Sequence, residues 1–391
     1  MAHVEKRVRR GTTSWRARYR SPDGDERSKT FTRRVDAEKF LARVEVDKGQ
    51  GSWVDPERSK LPFGDWAQRW MNTTSHLKPK TINGYESLLR SRILPTFAKA
   101  PIGAIRPIDI REWLSALQAD GLSASRCRAA YHLLGSIFRT AVEDGRIVTS
   151  PCIGIKLPRL PQVEMRYLQP DELRDLLLAV DEHYRVFVQV LATGGLRFGE
   201  AVALRVGRCD LGRSRLIVAE SLAEVSGTLH FGPPKTHQRR VVHLPRVVRE
   251  NLTAHLTVID GDESTLVFQA LRGGPIRYSN FYRRVWKPTL IEAGLPDMGI
   301  HALRHTCASM LIAQGAHPKA IQSHLGHQSI TTTLDRYGHL FEDVHERLAE
   351  RVDDAYADIF SDTEDSRPAG LDVEGSTVIP PDECWSDWRS R

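Results

Sequence analysis

The chain has 391 residues, too many for one ordinary domain at ~150 residues each, and its 40% hydrophobic and 27% charged residues are the balance of a folded globular protein. No run approaches the ~18 apolar residues of a membrane-spanning helix, and no apolar stretch follows the positive start MAHVEKRVRR, so neither a membrane span nor a secretory leader is expected. The formal charge of +7 is uneven: residues 351–391 hold four Arg against eleven Asp or Glu, which leaves +14 on residues 1–350 and points to a polyanionic partner, most simply nucleic acid. Cys127, Cys152, Cys209, Cys307 and Cys384 are scattered with no CxxC pair, the pattern of a reducing cytosol without disulfides or a zinc knuckle.

Residues 1–50 read as a small module. Trp15 to Arg20 alternates aromatic and basic residues as a strand does, Ser21-Pro22-Asp23-Gly24 supplies a turn, and Ser28 to Thr32 suits a second strand. Ala37, Phe40, Leu41 and Val44 then fall on one helical face. Seven Lys or Arg against one acid in the first twenty residues fit a sheet that lies in a DNA groove, or equally a charged edge on a marginal domain. Gly49 to Ser52 and Asp55-Pro56 make a linker.

From Phe63 to about Val148 the pattern is helical. The apolar stripes are Phe63, Trp66, Ala67, Trp70; Tyr85, Leu88, Leu89, Ile93; Ile110, Trp113, Leu114, Leu117; and Leu133, Leu134, Ile137, Phe138, Ala141. Lys78, Lys80, Arg90, Arg92, Arg126 and Arg128 lie beside them, so a helical DNA-contacting domain is expected, with its aromatics as core. Pro151 to Pro161 is an extended hinge. Beyond it helices are expected over about 170–181, 184–192 and 197–204, strands over 215–219, 228–231, 240–244 and 266–268, and helices again from Tyr278. Val344, Leu348, Val352, Ala355 and Ile359 are spaced for one more helix, and Ser361 to Arg391 has the composition of a disordered acidic tail.

Four stretches carry chemistry. In ATGGLRFGEAVALR, Gly194-Gly195 permits a tight turn and Arg197 has Glu200 three residues on, an aimed anion clamp or an ordinary surface pair. Lys235, in the turn GPPKTH, is either a solubilising hairpin tip or a proton donor reaching into a groove. His301 and Arg304 of HALRH share a helix face and suit one phosphate. His301 and His305 have the spacing of a zinc-binding HExxH helix, but Ala302 stands where that motif has its glutamate, so a metal site is not expected and His305 reads as a helix histidine with a local hydrogen bond. Finally LGHQSITTTLDRYGHL offers His327 and, ten residues on, Tyr337 in a polar Thr-rich segment; with a pKa near ~10 a lone tyrosine is a poor nucleophile.

Together and in this order, TGGLRFGE, a hairpin lysine, HALRHT and LGHQSITTTLDRY resemble the tyrosine recombinase (phage integrase) family, whose pattern is Arg, Lys, His-x-x-Arg, His or Trp, Tyr. Ala302 departs from the Asp of many members, at the cost of a supporting contact. The resemblance implies a multidomain chain: an N-terminal arm-site-binding-like domain of small sheet plus helix (1–50), an all-α core-binding domain (60–150), a mainly α catalytic domain with a small β-sheet (162–350), and a C-terminal helix end with acidic tail (351–391). It implies cutting and rejoining of DNA through a 3′-phosphotyrosyl link, with Tyr337 as nucleophile, Arg197, Arg304 and His327 on the phosphate oxygens, His301 assisting proton transfer, Lys235 as general acid and Glu200 orienting Arg197. No metal and no cofactor is implied; the Thr331–Thr333 run is read as a short connection bringing His327 and Tyr337 together. Expected partners are double-stranded attachment-site DNA, three further copies of the chain in a tetramer, and excisionase-type and DNA-bending accessory proteins, in the cytoplasm. Two other readings are a type IB topoisomerase-like relaxing enzyme and a catalytically inactive DNA-binding regulator.

Overall fold

The computed structural model describes residues 2–9, 12–21, 24–49, 53–161, 165–235 and 238–341, with residues 349, 352, 353 and 356. Apart from those four positions, the helix expected over Val344 to Ile359 and the acidic tail lie outside the described residues. The chain divides into two units, one of residues 1–164 with Leu222–Gly232 and one of residues 165–221 with 233–391. Residues 222–232 fall in the first unit.

In the first unit β1 (His3–Arg9), β2 (Thr12–Arg20) and β3 (Glu26–Phe31) form an antiparallel sheet in that order, with α1 (Arg34–Gly49) against it. Ala17 and Tyr19 alternate onto the face that meets Ala37, Leu41 and Val44, which leaves Arg16, Arg18 and Arg20 at the intervening positions. Strand β1 was not expected, and β3 begins two residues earlier than read. A second core belongs to α2 (Phe63–Asn72), α3 (Pro79–Leu88), the short α4 (Leu94–Phe97), α5 (Pro107–Ala119) and α6 (Ala124–Glu143). The four expected stripes supply it: Phe63, Ile93, Ile110, Leu134, Ile137 and Phe138 are all fully buried, and the Trp66 indole donates to the Ile137 carbonyl at 3.1 Å. Arg146 stacks on Trp66 with its guanidinium 4.6 Å from the ring centroid.

The second unit begins with α7 (Pro170–Ala179), α8 (Glu182–Gly194) and α9 (Phe198–Ala201). The last was expected to reach Leu204 but stops three residues sooner, because the backbone leaves to pair elsewhere: Val206 donates to the Thr265 carbonyl and Val267 to the Leu204 carbonyl, both at 2.9 Å. The strand expected over 266–268 is reduced by the same pairing to a single bridge, Arg205 with Leu266. A three-stranded sheet follows, β4 (Cys209–Asp210), β5 (Arg215–Val218) and, across β5, β8 (Arg240–His243); the intervening two-stranded hairpin, β6 (Ser221–Val225) and β7 (Thr228–Gly232), falls from Leu222 onward in the first unit. The rest is helical: α10 (Arg246–Thr257), α11 (Tyr278–Phe281), α12 (Lys287–Glu292), α13 (Ala302–Ala313), α14 (Pro318–Leu325) and α15 (Ile330–Tyr337). Among the described residues no helix is long and apolar enough to cross a membrane.

The Thr331–Thr333 run is therefore helix α15 and not the connection expected from its composition. Ser329 starts it as an N-cap, its hydroxyl accepting from the Thr331 amide, and Thr333 and Tyr337, four residues apart, bury one face.

Candidate functional site

Helix α8 ends where Gly195 turns the chain in a left-handed conformation (φ +59°) and donates to the Leu191 carbonyl. Only glycine fits: a Cβ there would stand 2.5 Å from Leu325 Cδ2 and 3.0 Å from Cys307 Sγ. Two residues on, Arg197 caps α9. Its position is fixed on one side by Phe198, whose ring lies edge-on to Phe187 and Tyr278 at 5.7 and 5.1 Å, and on the other by Glu200. The Glu200 carboxylate accepts from the Arg197 amide (2.9 Å) and from Arg197 Nη1 (2.8 Å), while Arg197 Nη2 reaches the Gly326 carbonyl at 3.4 Å.

Glu200 is 2% exposed and has a further partner that the sequence did not announce. Arg240, first residue of β8, donates from Nη2 to Glu200 Oε2 at 2.7 Å and from Nε to the His324 carbonyl at 3.0 Å. It lies flat against Gly326, where a Cβ would come within 2.8 Å of Arg240 Cδ. One buried arginine thus ties the strand after the Lys235 turn, the Glu200–Arg197 pair and the end of α14. Burial alone would raise the pKa of Glu200, but the Arg240 hydrogen bond and the charges of Arg240 and Arg197 outweigh it and hold the carboxyl at about 2.

Helix α13 brings Arg304 beneath this turn. Its Nη1 donates to the Gly195 carbonyl at 2.5 Å, the residue is 2% exposed, and its Nη2 is buried with no partner. Desolvation and the neighbouring Arg197 lower its pKa to about 9, which leaves it charged at neutral pH. After α14 closes on Gly326 (φ +69°), His327 is held by its backbone to Gln322 and by its ring Nδ1 to the Thr333 hydroxyl at 2.8 Å. Its Nε2 is likewise buried and unpartnered. Burial and then Arg304 and Arg197 drive the His327 pKa down to about 3, so the ring is neutral.

Tyr337 closes α15 and is 2% exposed. Its ring stacks on His327 at 6.4 Å and packs among Cys307, Ile321 and Leu325, and its hydroxyl meets His305 Nδ1 at 2.8 Å. Burial raises its pKa above the ordinary value, against the opposing charges of Arg304 and Arg336. His301, the N-cap of α13, keeps an exposed face and sets its ring edge-on to His305 at 4.8 Å. Desolvation, His305 and three arginines push its pKa down to about 4.

The structure thus gathers Arg197, Glu200, Arg304, His327 and Tyr337, with His301 one ring removed from the tyrosine. Lys235 is exposed in the turn after β7, and residues 236 and 237 beyond it are not among those described. Two participants went unread in the sequence. Arg240 is forty residues from Glu200 and has no local signal. His305 makes its hydrogen bond to Tyr337 and not within its own helix. An open cavity of about 900 Å³, lined by His183, Gln189, His255 and Val267 among others, shares none of these residues; a rod-like polyanion is met by a surface of charges and needs no enclosed pocket.

Three guanidiniums, Arg197, Arg240 and Arg304, face one carboxylate in this cluster, and Arg240 Nη1, Arg304 Nη2 and His327 Nε2 are buried without a hydrogen-bond partner among the described residues. Three guanidiniums against one carboxylate make the cluster electropositive, which favours a negative charge beside it. Such a nest lies beside a tyrosine hydroxyl.

A model of the phage integrase family matches residues 166–343, and that of the phage integrase N-terminal SAM-like domain matches residues 62–118. The integrase of Mycobacterium phage D29 is 31% identical over 331 residues, spanning 80% of this chain and 86% of its own. The chain belongs to the phage integrase family. It is a tyrosine recombinase, an enzyme of site-specific DNA recombination in phage or mobile-element integration. Its fold is that of the Tn1549 transposon integrase solved in complex with a circular intermediate DNA (TM-score 0.67, 22% identity, 75% of this chain and 99% of that one). It is also that of the lambda integrase dimer bound to a COC′ core site (TM-score 0.57, 20% identity, 85% and 93%). The multidomain organisation of this recombinase, mainly helical with small sheets, is the one expected from its sequence.

Proposed function

We propose that this recombinase cleaves attachment-site DNA by in-line attack of the Tyr337 hydroxyl on one phosphodiester, forming a 3′-phosphotyrosyl link and releasing a 5′-hydroxyl, and that it rejoins the ends by the reverse step. The observation that carries the reading is the gathering of Arg197, Arg240 and Arg304 around the single carboxylate of Glu200, with the His327 ring beside them and stacked on the Tyr337 ring. Negative charge gathers on the non-bridging oxygens in the transition state. Two planar, permanently charged guanidiniums and a neutral imidazole N–H, held before substrate arrives, meet that charge without reorganisation. Glu200 and Arg240 aim Arg197. His301 assists proton transfer at the tyrosine, and Lys235 gives the departing 5′-oxygen its proton. The arginines take the charge that a divalent ion would otherwise take, and the covalent link keeps the phosphodiester's energy, so the scheme calls for neither metal nor nucleotide.

The wider assignment follows from the chemistry. Two duplexes exchange four strands, so the acting species is a tetramer on DNA; a lambda integrase tetramer is known bound to a Holliday junction. The module of residues 1–50 binds arm-type sites and the helices of 60–150 grip the core site, with the catalytic domain over 162–350. Excisionase-type and DNA-bending proteins set direction, and the work is done in the cytoplasm on nucleoid DNA. The test is a nicked suicide substrate carrying the element's attachment site. Wild-type protein is expected to accumulate a covalent protein–DNA adduct and Tyr337→Phe to bind the same DNA without one. Equal adduct from both, or none from wild type, refutes the reading; relaxation of single circles without pairing of two sites would instead assign a topoisomerase-like activity.

A further inference from the structure

The hydroxyl of Tyr337 has a partner in this structure, and it is His305. We infer that His305 is a catalytic residue of this recombinase: its Nδ1 holds the Tyr337 hydroxyl in line and accepts the proton that the phenol loses on attack. The inference rests on Tyr337 being the nucleophile and assigns to His305 the contact at the tyrosine that the motif alone would give to His301.

The geometry is specific. His305 stands one turn beyond His301 on α13, its Nδ1 is 2.8 Å from the Tyr337 oxygen and the ring centroids are 5.8 Å apart. Tyr337 is otherwise lined by Cys307, Ile321, Leu325 and the flat of the His327 ring, none of which takes the hydroxyl proton. His301 meets the edge of the His305 ring at 4.8 Å and so stands behind it.

Charge fixes the protonation states of the two partners. The groups that bear on His305 are His301 and Arg304 from its own helix and Arg336 and Tyr337 from α15. Burial first, and then Arg336 and Arg304, lower its pKa to about 4, so the ring is neutral at pH 7; the tyrosine is shifted upward and keeps its proton. A neutral imidazole has one N–H and one lone pair, and the phenol has the proton to give. The proposed role takes the Nε2–H tautomer of His305, in which Tyr337 donates to Nδ1 and the phenol's own lone pairs stay free for phosphorus.

The step balances. As the bond from the Tyr337 oxygen to phosphorus forms, its O–H bond breaks and the proton passes to His305 Nδ1, leaving an imidazolium. The bond from phosphorus to the 5′-oxygen breaks, and that oxygen takes a proton from Lys235. Rejoining returns each proton along the same path. The phosphodiester itself eases the transfer, because its negative charge offsets Arg304 and Arg336 and raises the proton affinity of His305 when DNA is bound.

Full-length His305→Asn separates the two duties, since Asn Oδ1 can hold the hydroxyl as Nδ1 does but takes no proton. Single-turnover cleavage of the suicide substrate would be followed from pH 4 to 9 in wild type, His305→Asn, His305→Ala and His301→Asn, with DNA binding and Tm measured alongside. Wild type is expected to slow as pH falls and His305 protonates. His305→Asn should cleave ~10²-fold more slowly, within the ~10²–10⁴ range of a lost proton acceptor, with a flattened acid limb and unchanged DNA affinity. His305→Ala should be slower still and regain rate in added imidazole, which a scaffolding role would not allow. The inference is overturned if His305→Asn keeps wild-type rate and profile, or if the acid limb vanishes in His301→Asn and persists in His305→Asn. Tyr337→Phe distinguishes the failures: adduct from that variant removes the nucleophile reading itself, whereas none from it and full rate from His305→Asn removes only the role of His305.

Discussion

Replacing Glu200 by Gln isolates the electrostatic heart of the site. The side chain keeps its shape and one acceptor oxygen but loses the charge that two arginines share at 2.7 and 2.8 Å. Glu200 holds its carboxyl at about 2 against an ordinary 4.5, and each pKa unit is ~1.36 kcal/mol. The carboxylate is thus favoured in the fold by about 3 kcal/mol, the lower end of the ~3–5 kcal/mol for breaking a buried ion pair. At ~2–4 °C per kcal/mol for a unit of this size, calorimetry at pH 7 should show the Glu200→Gln transition lowered by roughly 6–12 °C. The pH dependence has a definite sign. A folded pKa below the unfolded one gives stability that is present above about 4.5 and is lost as pH falls toward about 2. Wild type should therefore lose its advantage over Glu200→Gln across that window, and the two stability curves should converge. A Tm within 1 °C of wild type at pH 7, or parallel curves down to pH 2.5, would show that Arg240 and Arg197 do not depend on this carboxylate.

Further outcomes follow from single contacts. Gly195→Ala sets a Cβ 2.5 Å from Leu325 at a left-handed φ; it should cost about 1–3 kcal/mol in chemical denaturation and shift the carbonyl that holds Arg304, so cleavage falls along with stability. In the proposed mechanism Arg304→Ala removes a guanidinium that meets the transition-state charge, and single-turnover cleavage should fall by ~10²–10³ with DNA affinity reduced far less. Lys235→Ala should slow cleavage of ordinary DNA yet regain most of its rate on a substrate with a bridging 5′-sulfur, because a thiolate, with a pKa near ~8.5, leaves without a proton. Persistence of the defect on the sulfur substrate would remove Lys235 as the acid.

Much of this site could be read from the chain because its groups are announced locally. Arg197 follows a Gly-Gly turn that only glycine can make, Arg304 lies three residues from His301, and Tyr337 lies ten from His327. The helical unit was legible for a related reason: Phe63, Trp66 and Ala67, or Leu133, Leu134, Ile137 and Phe138, repeat at the helical period and all become core. The unread parts depend on distance in sequence or on competing local signals. Arg240 pairs with Glu200 across forty residues, and His305 meets Tyr337 across thirty-two, separations that periodicity cannot bridge. Helix α15 is masked in the sequence because three successive threonines favour extended backbone; the Ser329 cap and the burial of Thr333 and Tyr337 on one face override that preference. Strand β1 escaped notice because HVEKRVR buries none of its residues deeply and so has weak alternation.

The excess of guanidinium over carboxylate around Glu200 also bears on how a cut strand is kept from being lost. Desolvation and the charge of Arg197 both disfavour the charged form of Arg304, so a negative charge beside these guanidiniums is stabilised there. Under the proposed mechanism a phosphate supplies that charge whether it is still part of intact DNA or already bonded to Tyr337. The proposed covalent intermediate would then sit in the same electrostatic well as the substrate, and letting go of the broken end would restore the repulsion between the arginines. A strand exchange that stalled midway would be held together by the same charges that the proposal assigns to the cut.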